Sequence, residues 1–152
     1  MQNSKRLTSR TAMLITALVL GALAGGQALM TASGMRRPAN TEFGLGPRSS
    51  ANGMFTATLV PVEPLRPRKL YTIPVVITDA NNQPIDNAEI AIDGGMPQHG
   101  HGLPTRPRAT TSRGSGRYDL EGVRFNMGGW WEFKLWITTP AGRDLVTFNL
   151  GL

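Results

Sequence analysis

From Phe55 to Leu150 apolar side chains recur at every second position, a period that strands obey and helices do not. Phe55, Ala57 and Leu59 alternate with Thr56 and Thr58, and Tyr71, Ile73, Val75 and Ile77 with Thr72, Pro74 and Thr78. Ala88, Ile90 and Ile92 interleave with Asn87, Glu89 and Asp93, and Tyr118, Leu120, Val123 and Phe125 mark another strand. Trp131, Phe133, Leu135 and Ile137 oppose Glu132 and Lys134, and Val146, Phe148 and Leu150 close the series. Asn81-Asn82-Gln83-Pro84, Gly94-Gly95, Gly114-Ser115-Gly116, Gly128-Gly129 and Pro140-Ala141-Gly142 punctuate these segments as turns do. Six strands, with a seventh expected between Arg106 and Ser112, predict an all-β fold. The architecture that suits them is an immunoglobulin-like antiparallel β-sandwich over 53–152, with a small barrel as the alternative. Ile73, Val75, Ile90, Ile92, Leu120, Trp131, Phe133, Leu135, Val146 and Phe148 are its expected core. Pro74 cannot donate to a ladder, so its strand is expected at a sheet edge.

A chain of 152 residues that gives its first few tens to targeting has room for one such domain and one modest core. With no cysteine it has neither disulfides nor a thiolate metal site. The formal charge of +6 and pI near 10.8 suggest a nucleic-acid partner until the charges are located. From Ala51 onward ten basic residues face nine acidic ones, a net +1. Most of the excess lies on Lys5, Arg6, Arg10, Arg36, Arg37 and Arg48, outside the sandwich, so no nucleic-acid partner is expected.

Those basic residues fit a membrane role instead. Lys5, Arg6 and Arg10 precede an apolar run from Thr11 to about Ala24, the layout of a secretory signal. Small residues at Ala22-Leu23-Ala24 and Gly26-Gln27-Ala28 suit cleavage. Apolar or small residues also continue to Met35, close to the roughly 20 residues that span a bilayer, which suits an uncleaved anchor. Either way 1–32 forms an N-terminal apolar helix, as signal-anchor or signal peptide, and 33–52, rich in Gly, Ser, Pro, Asn and Arg, reads as a flexible linker. The expected location is the inner membrane, crossed once with the domain in the periplasm, or the periplasm itself after cleavage.

Both histidines of the chain stand in Gly94-Gly95-Met96-Pro97-Gln98-His99-Gly100-His101-Gly102-Leu103-Pro104. Imidazole is the commonest side-chain metal ligand, and thioether sulfur suits reduced copper. In an extended His-x-His segment both rings project to one side, as strand geometry requires. His99, His101, Met96 and, from Phe125-Asn126-Met127-Gly128-Gly129, Met127 are therefore the candidate copper ligands. The competing reading is a turn-rich structural loop whose histidines meet backbone or solvent. Trp131 falls on the apolar face, whereas Trp130 and Trp136 share the face of Glu132 and Lys134, where an exposed indole would meet a protein partner. Ser112, His99 and Asp119 could be assembled into a hydrolytic triad, but no local signature accompanies them, so no enzyme and no catalytic residue is expected.

The run from Met96 to Pro104, with Gly116-Arg117-Tyr118 and then Phe125-Asn126-Met127-Gly128-Gly129-Trp130-Trp131-Glu132, resembles the YtkA-like domain family. That family looks related to the FixH proteins associated with cytochrome oxidase assembly. The resemblance covers about residues 53 to 150. It implies an immunoglobulin-like domain on the outer side of the cytoplasmic membrane behind one N-terminal transmembrane segment or signal. Two functions follow as expectations: a membrane-tethered copper-binding module, or a non-catalytic assembly partner of a membrane complex that binds no metal.

Overall fold

The computed structural model describes residues 36–152, which form one compact unit from Arg37 to Leu152. The helix expected over 1–32 lies outside the described residues. After a single 3-10 turn at Asn40–Glu42 come nine strands: β1 Arg48–Ser49, β2 Phe55–Leu59, β3 Leu70–Asp79, β4 Glu89–Met96, β5 His101–Gly102, β6 Arg108–Ala109, β7 Arg117–Arg124, β8 Trp130–Thr139 and β9 Gly142–Gly151. They make two antiparallel sheets, ordered β1-β2-β3-β7-β6 and β5-β4-β8-β9. Among the described residues no helix is long and apolar enough to cross a membrane.

Alternation decides which face of each strand goes inside. Phe55, Ala57 and Leu59 of β2, Tyr71, Ile73, Val75 and Ile77 of β3 and Trp131, Phe133, Leu135 and Ile137 of β8 are all buried, with the residues between them more exposed. Eight of the ten expected core residues are fully enclosed, while Ile90 and Ile92 are partly buried. These two lie in the half of β4 that β5 does not reach, since β5 pairs only with Gly95 and Met96. The expected seventh strand is present as the two-residue β6.

Pro74 does not mark an edge: β3 lies between β2 and β7. The Pro74 carbonyl accepts the Val60 N–H, so its missing N–H faces the β2 side, where the ladder has already ended at Leu59↔Val75. A central strand thus tolerates the proline because the absent donor falls beyond its neighbour's end. Trp130 is also not surface-exposed, although it shares a strand face with Glu132. Its indole is buried, donates from Nε1 to Asn149 Oδ1 at 3.0 Å, and stands across the ladder from Gly151, which leaves room for it.

The segment expected as a linker over 33–52 belongs to the domain from Arg37 onward. Gly44 N–H donates to Asn149 O, β1 pairs with β2, and Ala51 N–H donates to Leu145 O, so this polar stretch lies along the edge of both sheets. Composition hid it because backbone pairing needs no apolar side chain. Asp144 fastens its end. One carboxylate oxygen accepts the Asn52 N–H at 2.9 Å, and the other accepts Asn52 Nδ2 at 3.0 Å and the Leu145 N–H at 2.8 Å. Burial pushes the Asp144 pKa up, but hydrogen bonds from Ser50 and from the backbone of Leu145, Asn52 and Met54 outweigh it and hold it at about 2. A folded-state pKa below the unfolded value means that this carboxylate stabilises the fold above pH 4 or so and loses that contribution as pH falls toward about 2. Melting midpoints measured from neutral pH to pH 2 should therefore fall less steeply at the acid end for Asp144→Asn, which should also be less stable than wild type at neutral pH.

Candidate metal centre

β4 turns into β5 through Pro97-Gln98-His99-Gly100, and the turn is closed by two N–H groups, those of His99 and Gly100, donating to the Met96 carbonyl at 3.0 and 2.9 Å. Gly100 sits at φ +65°, the left-handed conformation that the closing residue of such a turn needs. β5 lies tight against β4: a Cβ on Gly95 would come 2.9 Å from the His101 carbonyl oxygen, so only glycine admits this approach. The hairpin leaves both imidazoles exposed, with ring centroids 6.0 Å apart and planes 20° from parallel. One ion with metal-to-nitrogen bonds of about 2 Å fits between them once the rings turn, because near-parallel stacked rings direct their in-plane nitrogen lone pairs side by side.

The two methionines are placed differently. Met96 stands directly across the ladder from His101, so both side chains leave the same face of the sheet. Its thioether then runs inward: Met96 is 2% exposed, and its Cε occupies the space beside Gly129, 2.8 Å from where a Cβ would stand there. Met96 thus packs the hairpin against the β7–β8 connection, which brings that connection and the hairpin to the same end of the sandwich. Met127 lies on this connection and is 38% exposed. Its carbonyl accepts a hydrogen bond from Trp131 Nε1 at 3.0 Å, so a buried indole fixes the backbone from which the exposed thioether projects. The structure therefore brings His99 and His101 together, presents Met127 at their end of the fold, and keeps Met96 beneath them in the core.

Among the described residues no three His, Asp or Glu side chains converge on one point. The donor set at this end is two imidazoles with thioether sulfur, which suits a soft ion better than a hard one. Ser112 takes no part here. Its Oγ donates to Asp86 Oδ1 at 2.6 Å and accepts the Gly114 N–H, which makes it a fastener of the turn before β7.

A two-sheet antiparallel β-sandwich with an exposed His-x-His hairpin beside a Trp-anchored methionine loop defines the class of this protein. The chain belongs to the YtkA-like family, whose match runs over residues 51–135 and includes both motifs. No curated protein and no solved structure matches it.

Proposed function

We propose that this protein is an exported, membrane-tethered copper-binding module built on an immunoglobulin-like sandwich. His99 and His101 hold the ion, Met127 supplies sulfur, and Met96 fixes the hairpin from below, its sulfur reaching the ion only after its side chain turns outward. The observation that carries this reading is the pair of exposed imidazoles 6.0 Å apart on a tight hairpin. Copper is here cargo or ligand of a binding protein, and no catalytic step is assigned to it.

The reading predicts that the purified full chain competes with a colorimetric Cu(I) chelator and that His99→Ala with His101→Ala abolishes the competition. Both rings are exposed, so the double variant should keep the wild-type melting midpoint. Zn(II) should compete poorly, since thioether is a weak ligand for it. A second reading, an assembly partner that binds no metal, draws on Trp136, which stays partly exposed with the Arg143 guanidinium 4.5 Å from its ring centroid. Equal copper retention by the wild type and the double variant would favour that reading.

A further inference from the structure

The connection from β2 to β3, residues 60–69, presents apolar side chains to solvent in a way that packing does not explain. Val62 is 88% exposed and Leu70, just after the connection, 62%. The segment is not loose. The Arg66 N–H donates to the Tyr71 hydroxyl at 2.7 Å, the Arg68 N–H donates to Phe125 O at 2.7 Å, and Pro61, Pro64 and Pro67 restrict the backbone between. Val62 borders a groove with Val60, Pro74, Val76 and Arg117, and the same connection carries Arg66 and Arg68, both exposed and without an ion pair among the described residues, while Lys69 is paired with Glu63 at 2.6 Å.

The position of this connection names its partner. Pro64 and Leu65 line one apolar groove with Asn40, Phe43 and Leu45, so the connection adjoins the segment by which the chain runs into the domain. At that start lie Arg36 and Arg37, the latter 5.2 Å from the Phe43 ring centroid. Thirty-five residues precede the described part, and they end here. Apolar side chains flanked by unpaired arginines match the interface of a bilayer with anionic headgroups, where the side chains enter the acyl boundary and the guanidiniums meet phosphate.

We propose that the β2–β3 connection is a second contact with an anionic lipid surface, through Val62 and Leu70 with Arg66 and Arg68. This rests on the tethered reading above. It has a consequence for the candidate copper site. Because Arg68 bonds to Phe125 and Gly128 lies near Pro67, the same end of the sandwich carries Met127 and the histidine hairpin, which would then face the membrane and a membrane-embedded partner.

The absence of cysteine makes the test direct. Val62→Cys, and Ala141→Cys at the opposite end, are each labelled with an environment-sensitive fluorophore in the full chain. Each is incorporated into vesicles of phosphatidylcholine with phosphatidylglycerol, carrying a quencher on the lipid chains, and floated. The label at 62 should be quenched severalfold more than the label at 141, and Arg66→Glu with Arg68→Glu, or phosphatidylcholine alone, should remove the difference while flotation persists. Equal quenching at 62 and 141 in floated protein would overturn the proposal and leave the tether intact. Failure to float would overturn both. Shielding of position 62 that rises with protein density and ignores lipid charge would point to a second copy of the chain and would also overturn it.

Discussion

Trp131→Ala should lower the melting midpoint of the domain by about 12–20 °C. The indole is fully buried, meets Phe125 edge-on with centroids 5.2 Å apart and planes at 70°, and gives its only N–H to Met127 O. Truncating a buried aromatic of this size costs about 3–5 kcal/mol, and in a domain of this length each kcal/mol is worth about 4 °C. That is a large share of a total stability of about 5–15 kcal/mol. Trp131→Phe separates packing from hydrogen bonding. It keeps most of the ring, forfeits a bond worth about 1 kcal/mol, and releases the Met127 backbone. Its midpoint should fall by only a few degrees, while Cu(I) binding weakens out of proportion. A Trp131→Ala variant that melts within a few degrees of wild type would show that the sandwich does not lean on this ring.

Gly116→Ala should be nearly as damaging, for a different reason. Gly116 is buried at φ +69° where the turn before β7 backs onto β3, and an added Cβ would stand 2.2 Å from Ile77 O and 3.2 Å from Ile85 N. Both neighbours are backbone, so the turn itself must move. That movement strains two hydrogen bonds, Ile77 N–H to Gly116 O at 2.8 Å and Gly116 N–H to Asp86 Oδ1 at 2.6 Å. The left-handed conformation alone costs an alanine about 1 kcal/mol, and overpacking adds about 1–3 kcal/mol. Gly114→Ala is the matched control, since it has φ +86° with nothing within 4 Å of its added Cβ. Thermal melts should therefore place Gly114→Ala a few degrees below wild type and Gly116→Ala well below that. Equal losses at the two glycines would mean that backbone conformation, and not the clash with Ile77, sets the cost.

The strands were legible because burial on one face writes itself into the sequence with period two, as in Tyr71 to Ile77 and Trp131 to Ile137. What stayed illegible depends on backbone partners. β1 and β5 are two residues each and leave no periodic trace, and the Gly44 and Ala51 hydrogen bonds that bind 37–52 to the domain involve no patterned side chain. Asp144 could have been noticed, because it falls in phase with the inward series Val146, Phe148 and Leu150, and a carboxylate in that register must find donors. Trp130 misled because a strand face near the end of a sheet is not necessarily open to water. Of the candidate ligands, His99 and His101 lie close through a turn with Gly100 in the left-handed conformation and not through the extended segment that alternation assumed. The inward turn of Met96 and the anchoring of Met127 by Trp131 depend on which loop packs on which, which alternation does not record either.

The ligand set of the bound ion tests the copper reading most directly. X-ray absorption of the Cu(I)-loaded full chain should show two nitrogen neighbours at about 2 Å and one sulfur at about 2.3 Å, by analogy with zinc distances. The sulfur shell should vanish in Met127→Leu, and the nitrogen shell should be lost, with the copper, in His99→Ala with His101→Ala. A spectrum with the same shells in all three proteins would place the copper elsewhere in the chain and contradict the account.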